Sequence, residues 1–154
     1  MAVAGGATLS LPLNLFLLKG LLLVLFLTCA SITDVKTRQI PDFLSVAITA
    51  VGFIHFSLLF SLSGMLLTGV PYLVAAVISK GKLGGGDIKL MAACGFVLGP
   101  VGGTIQSIIG LTFVLLAAAG IGIKSGYQSA KHTSLPLAPF LSAGGLFAFI
   151  MIQL

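Results

Sequence analysis

The sequence predicts an all-α integral membrane protein, a bundle of six transmembrane helices with both chain termini on the extracytoplasmic side. Its composition, six apolar stretches and the alternating charge of the connections support this prediction. Of the 154 residues, 58% are hydrophobic and only 7% are charged. A soluble domain of this size could not cover so much apolar surface, because a folded surface needs many more charged residues. The length predicts a single transmembrane domain over residues 1–154.

Six apolar stretches predict the helices in chain order. They are Leu11–Thr33, Phe43–Phe60, Gly64–Ser79, Ile88–Leu98, Gly102–Ile123 and Leu137–Ile152. A bilayer core of ~30 Å needs about 20 helical residues, so the third stretch is short and the fourth is too short. Pro71 predicts a kink or a local break in the third. Irregular backbone at membrane depth is tolerated beside protein or water, so the short fourth helix predicts a cavity near its start.

The connections between the stretches alternate sharply in charge. The uncharged connections are Ser61–Ser63 and Gly99–Val101. On the other side lie seven of the eight basic residues: Lys36, Arg38, Lys80, Lys82, Lys89, Lys124 and Lys131. By the positive-inside rule that side is cytoplasmic, which places both termini outside. Lys19 is the exception and is expected to reach the outer interface. Membrane topology thus accounts for the net charge of +5. We expect the chain to contact a lipid bilayer and not to bind nucleic acid.

The only acidic residues are Asp34, Asp42 and Asp87, and there is no glutamate. A carboxylate beside hydrocarbon costs roughly 2.5–3.5 kcal/mol on insertion scales, which makes each a candidate functional residue. All three are predicted at the cytoplasmic ends of helices, where they can face one another. Asp42 follows Pro41 and has a simpler explanation, as the cap or first turn of the second helix.

Asp87 follows three glycines, Gly84, Gly85 and Gly86. A helix N-cap would explain an aspartate here, but not the glycine run at a membrane border. Glycines let another backbone approach closely, so all three are candidate substrate-binding residues. Phosphate binding is not supported, because the run lacks the P-loop lysine pattern.

Asp34 ends the first apolar stretch, where the helix dipole disfavours a carboxylate; the simple alternative is an interfacial aspartate beside Lys36 and Arg38. Two close carboxylates share a proton. A helix N-terminus favours a charged carboxylate and a C-terminus disfavours one. We therefore expect Asp87 to act as the general base and Asp34 as the general acid.

The remaining polar residues predict no other chemistry. Lys36, Arg38 and Lys89 are candidate substrate-binding residues, with contact to anionic lipid as the alternative. Cys29 and Cys94 are isolated and form no CxxC pair, and His55 and His132 have no partner at ligand spacing. We therefore expect no metal and no cofactor.

Three segments together resemble the type IV prepilin peptidase family, the intramembrane aspartyl proteases with a GxGD signature. They are residues 34–42, from Asp34 to the Pro41-Asp42 pair; residues 84–90, a GGGDxK sequence; and residues 135–141, with a Pro-x-x-Pro-Phe-Leu element. The resemblance implies that Asp34 and Asp87 are catalytic. It also implies that prepilin or pseudopilin precursors are cut after a glycine, at the cytoplasmic face of the bacterial inner membrane.

One departure from the family concerns methylation. Larger members carry an N-terminal cytoplasmic segment with two CxxC pairs, associated with N-methylation of the cleaved pilin. This sequence has no CxxC, so it resembles the short, peptidase-only branch. Two other function classes stay open from the residues alone: a small proton-coupled transporter or channel, in which membrane aspartates relay protons, and an inert scaffold. The sequence leaves the oligomeric state open.

Overall fold

The computed structural model describes residues 13–54, 57–78, 84–125 and 136–152, and all regular structure in these ranges is α-helical. The helices are α1 (Leu13–Thr37), α2 (Asp42–Gly52), α3 (Leu58–Ile78), α4 (Gly85–Ser125) and α5 (Ala138–Met151). The prediction of an all-α protein is confirmed. Three lysines predicted on the cytoplasmic side, Lys80, Lys82 and Lys131, lie outside the described residues, as do both histidines.

Helix α4 reverses direction at Gly99, so that it consists of two packed limbs. Gly99 has a φ of 74° and a ψ of −175°, which interrupts the helix. Gly95 and Gly103 would be about 12 Å apart along a straight helix, yet a Cβ on Gly103 would lie 3.1 Å from the Cα of Gly95. The limbs, residues 85–98 and 100–125, correspond to the predicted fourth and fifth stretches. A positive φ of this kind requires glycine at the reversal.

The boundary between α2 and α3 differs from the prediction. Helix α2 ends at Gly52, and Ser61–Ser63, predicted as a connection, lies inside α3. Serine is compatible with a helix here because its hydroxyl can bond back to the preceding turn, as Ser63 Oγ does to the Phe60 carbonyl at 3.0 Å. Helix α3 also continues through Pro71, so Pro71 makes no local break, and the alternative, a kink, stays a prediction.

Three helical segments are long and apolar enough to cross a membrane: Asn14–Thr37, Leu58–Ile78 and Gly85–Gly120. The last includes the reversal at Gly99, so two limbs share its length. Helices α2 and α5 are shorter apolar helices. Large exposed hydrophobic side chains, such as Leu21, Leu59 and Leu115, suit a surface in contact with lipid. The molecule is a multi-pass membrane protein; the six-span count and the side of the termini stay predictions.

Helix α3 packs antiparallel to the first limb of α4 through small residues. A Cβ on Gly64 would overlap the carbonyl oxygen of Gly95, so the backbones touch there. One turn later the Thr68 hydroxyl lies 2.8 Å from the Gly64 carbonyl and 3.0 Å from that of Met91. Small residues allow this approach in lipid, and the Thr68 bond sets the register between the helices.

The main core is formed by α1, α2, α4 and α5. Its buried members include Leu23, Leu27, Ile48, Leu90 and Ala148. A short polar ladder aligns α1 with α5: Ser31 Oγ donates to Ser142 Oγ at 2.8 Å, and Ser142 Oγ donates to the Leu27 carbonyl at 3.0 Å. These bonds hold α1 and α5 together next to the candidate site, which includes Asp34 on α1.

Candidate active site

Asp34 lies one turn before the end of α1 and binds the start of α5. Its side chain is only 7% exposed, and Oδ2 accepts a hydrogen bond from the backbone N–H of Ala138 at 2.9 Å. The first N–H groups of a helix lack partners within the helix, and Leu137, at the N-cap of α5, makes no side-chain cap bond. Asp34 therefore caps α5 from a distant part of the chain.

This contact changes the argument from helix ends. Asp34 lies near the C-terminus of α1, as predicted, but also at the N-terminus of α5, where a helix favours negative charge. Asp87 lies at the N-terminus of α4. Because both carboxylates now sit beside a helix N-terminus, the dipole argument no longer separates a base from an acid.

Asp87 lies in the first turn of α4, and its N–H donates to the Gly84 carbonyl at 3.1 Å. It is not the N-cap, since α4 begins at Gly85. Within the described residues its Oδ1 is buried and has no hydrogen-bond partner. Asp87 interacts electrostatically with Asp34. Asp34 and Asp87 therefore lie at the same end of the bundle, within electrostatic range of each other.

The three glycines before Asp87 have different surroundings. A Cβ on Gly86 would lie 3.0 Å from the Cβ of Ile40 and 3.3 Å from its carbonyl oxygen, so the chain's own α1–α2 connection occupies that space. Gly84 lies against the Asp87 carboxylate, with 3.2 Å from its Cβ position to Oδ2. Only Gly85 is exposed with nothing within 4 Å, so it is the glycine with room for another backbone.

Lys89 pairs with Asp42 and not with Asp87. Lys89 Nζ donates to Asp42 Oδ2 at 2.7 Å, and the side chains are 56% and 69% exposed. Lys89 is two residues beyond Asp87 and therefore points to another face of α4, where α2 begins. Asp42 is in the first turn of α2, as predicted, but the N-cap is Pro41 and no side chain makes a cap bond there.

Lys36 and Arg38 lie exposed at the end of α1. Neither makes an ion pair within residues 13–54, 57–78, 84–125 and 136–152. Arg38 has a φ of 54°, in the left-handed region, and its N–H donates to the Asp34 carbonyl at 2.9 Å. That bond ends α1 one turn after Asp34 and turns the chain towards Ile40.

Sequence reasoning missed Tyr72. It lies on α3, is 5% exposed and is within electrostatic range of Asp87. Its hydroxyl is buried without a hydrogen bond of standard geometry to any described residue. One signal was available, because a buried tyrosine normally finds a partner for its hydroxyl and Tyr72 stands in a long apolar run.

The described residues hold no group of three His, Cys, Asp or Glu side chains that could bind a metal. Cys29 is exposed and Cys94 is buried, and neither forms a disulfide. The chemistry available at this end of the bundle is that of two carboxylates, a buried hydroxyl and nearby basic side chains.

Comparison with known families assigns the chain to a family. The model of the type IV leader peptidase family matches residues 21–151, which include both aspartates. The chain belongs to the type IV leader peptidase family. This is a peptidase family, and the match extends from α1 to the end of α5.

Two curated relatives are both named prepilin leader peptidase/N-methyltransferase. The protein from Bacillus subtilis (strain 168) is 29% identical over 155 residues, covering 96% of this chain and 60% of the relative. The protein from Pectobacterium carotovorum subsp. carotovorum is 31% identical over 152 residues, covering 86% of this chain and 50% of the relative. The chain thus spans about half to three fifths of the length of these relatives. No solved structure matches it.

Proposed function

We propose that this protein is an intramembrane aspartyl endopeptidase that removes the leader of type IV prepilins or prepilin-like precursors. The observation that supports the proposal is that Asp34, bonded to the start of α5, lies close enough to Asp87, in the first turn of α4, to act on it electrostatically. They come from distant parts of the chain, both are largely withdrawn from solvent, and Asp87 Oδ1 is buried without a partner among the described residues. A carboxylate pair is the equipment of aspartic proteases.

The pair supplies the acid and the base of peptide hydrolysis. One carboxylate takes a proton from water as the water oxygen attacks the scissile carbonyl. The other, protonated, gives its proton to the carbonyl oxygen, which yields a neutral tetrahedral diol. The diol then loses a proton to one carboxylate as the other protonates the amide nitrogen, and the C–N bond breaks. Each turnover returns the shared proton, so no cofactor is required.

The exposed groups beside the pair suit a substrate with a polar leader followed by an apolar helix. Gly85 leaves open space for an extended backbone. Lys36 and Arg38 are cations at the same end of the bundle. We propose that cleavage follows a glycine at the cytoplasmic face, where a leader in water meets a helix in lipid.

The proposed topology has six spans, an extracytoplasmic C-terminus and a cytoplasmic active site in the bacterial inner membrane. A periplasmic alkaline phosphatase fused after Leu154 is then expected to be active. The same fusion placed after Lys82, in a predicted cytoplasmic connection, should be inactive. The reverse pattern would contradict the proposed orientation.

The central experiment is cleavage of a prepilin-like precursor by the purified chain in detergent or proteoliposomes. Intact-mass measurement of the product reports the cleaved bond and any added methyl group. Asp34→Asn and Asp87→Asn should abolish cleavage, whereas Asp42→Asn serves as the matched control. If the two site variants cut as fast as the native chain, the proposal is wrong.

The transporter alternative is less well supported by the geometry. Asp34 and Asp87 lie together at one end of the bundle, whereas a proton relay needs polar groups along the membrane depth. Within the described residues, the buried polar side chains away from this end, such as Thr68 and Gln106, carry no ionisable group. Proton flux through proteoliposomes that depends on both aspartates would favour the alternative.

A further inference from the structure

Two buried oxygen atoms without partners lie at the same end of the molecule. Among the described residues, Tyr72 Oη and Asp87 Oδ1 are both enclosed and make no hydrogen bond of standard geometry. Buried polar atoms in folded proteins are nearly always paired, and an unpaired one calls for an explanation such as a catalytic role or an additional bound group. Two such atoms on neighbouring helices at the same end of the bundle suggest a bound reactant.

The register of α3 against α4 places these residues opposite each other. Gly64 lies against Gly95, and Thr68, one turn on, bonds to the Met91 carbonyl. Because the helices are antiparallel, one further turn on α3 reaches Tyr72 and one turn back on α4 reaches Asp87. The electrostatic interaction of Tyr72 with Asp87 agrees with this register.

The Tyr72 ring is held by neighbours of both aspartates. It belongs to a buried cluster with Met91 and Leu141, against which Ile88 and Leu137 pack. Ile88 follows Asp87 in α4, and Leu137 precedes Ala138, whose N–H binds Asp34. The ring is therefore fixed between the two sides of the site, and its hydroxyl has little freedom to move away.

Ser107, on the second limb of α4, supplies a third oxygen. A Cβ on Gly103 would overlap the methyl group of Thr68, and one turn on from each of these residues are Ser107 and Tyr72. The two side chains interact. Ser107 Oγ donates its proton to the Gly103 carbonyl at 2.9 Å, so its lone pairs stay available as acceptors.

We propose that Tyr72 is a third catalytic residue, whose hydroxyl holds the reacting water against Asp87 Oδ1. A buried water needs two to four polar partners, and Tyr72, Asp87 and Ser107 provide three oxygens from three helical limbs. The hydroxyl orients the water for attack and itself transfers no proton. The inference rests on the proposed peptidase function and assigns the residue that positions its nucleophile.

The test is Tyr72→Phe, which removes the hydroxyl and keeps the ring. We expect kcat for precursor cleavage to fall about 10- to 100-fold, the effect of losing one hydrogen bond to a charged or reacting group. KM should stay within about twofold. The unfolding temperature in detergent should change little, because the variant keeps the ring and its packing. A purely packing role would leave kcat unchanged.

Two further variants complete the experiment. Tyr127→Phe makes the same change at the other tyrosine of the chain and should leave kcat unchanged. Ser107→Ala should lower kcat about three- to tenfold without raising KM, which also tests the proposal if Tyr72→Phe folds poorly. Native kcat in both Tyr72→Phe and Ser107→Ala would overturn this inference while leaving the peptidase intact. Absence of cleavage by the native chain would overturn the proposed function and this inference together.

Discussion

At one end of the contact between α3 and α4, around Gly99, the helices meet backbone to backbone; at the other, around Asp87, buried polar atoms are left without partners. At the Gly99 end, Gly64 and Gly95 leave no room for a side chain. At the Asp87 end, Tyr72 Oη and Asp87 Oδ1 are enclosed and make no hydrogen bond of standard geometry to a described residue. Close packing at the first end holds the register, and the second end carries the unpaired groups that a reaction needs.

The largest expected effect is at the Asp87 end and concerns activity alone. Asp34→Asn and Asp87→Asn should each lower cleavage more than about 1,000-fold, which corresponds to about 4 kcal/mol of transition-state stabilisation. An amide oxygen at position 34 can still accept the N–H of Ala138, so the unfolding temperature should change little. Rates from product mass and unfolding by fluorescence would check both. If either variant loses activity only because it unfolds, the Asp87 end would also be needed for stability, and the contrast with the Gly99 end would be wrong.

The next effect is at the Gly99 end and concerns stability. Gly95→Ala would overlap the Thr68 hydroxyl and the Gly64 backbone, and overpacking of this kind costs about 1–3 kcal/mol or more. We expect a lower unfolding temperature and less folded protein. Gly120→Ala is the matched control, because nothing lies within 4 Å of a Cβ there and alanine favours a helix by about 1 kcal/mol. Equal behaviour of the two variants would refute the packing argument.

The glycines before Asp87 allow a finer test. Gly86→Ala should lower cleavage about three- to tenfold, because its Cβ would press on Ile40 and displace the start of α4. Gly85→Ala should keep native stability and raise KM several-fold, because the new methyl group would enter the space proposed for substrate backbone. Steady-state kinetics separates the two. If KM increases for Gly86→Ala but not for Gly85→Ala, the proposal that Gly85 contacts the substrate backbone is wrong.

The smallest effect concerns the exposed ion pair of Lys89 with Asp42. Exposed pairs contribute about 0.2–1 kcal/mol and weaken with salt. A double-mutant cycle of Lys89→Met and Asp42→Asn should give a coupling free energy in that range. If Lys89 also binds substrate, Lys89→Met should raise KM and Asp42→Asn should not. If the two substitutions change KM equally, Lys89 acts only through its ion pair with Asp42 and does not bind substrate.

Several features could be predicted because they depend on local sequence. The apolar stretches predicted helices, the fourth and fifth stretches predicted the separate limbs of α4, and the glycine run marked the region of Asp87. The predicted boundary between α2 and α3 was wrong, since serine is compatible with a helix as well as with a connection, and the Ser63 hydroxyl bonds back to the preceding turn. The assignment of Asp87 as base and Asp34 as acid is no longer supported by the helix dipoles, because the sequence could not show that α5 starts beside Asp34.

Composition and local pattern therefore determined the membrane class, and they predicted the charged side of the chain and the pair of candidate aspartates, because each is a property of neighbouring residues along the sequence. The tertiary structure decided which groups meet. The N–H of Ala138 reaches Asp34, Ile40 fills the space beside Gly86, and Tyr72 faces Asp87. These contacts depend on the register between separate helices, which is set by close packing at Gly64, Thr68 and Gly95 and not by any local pattern.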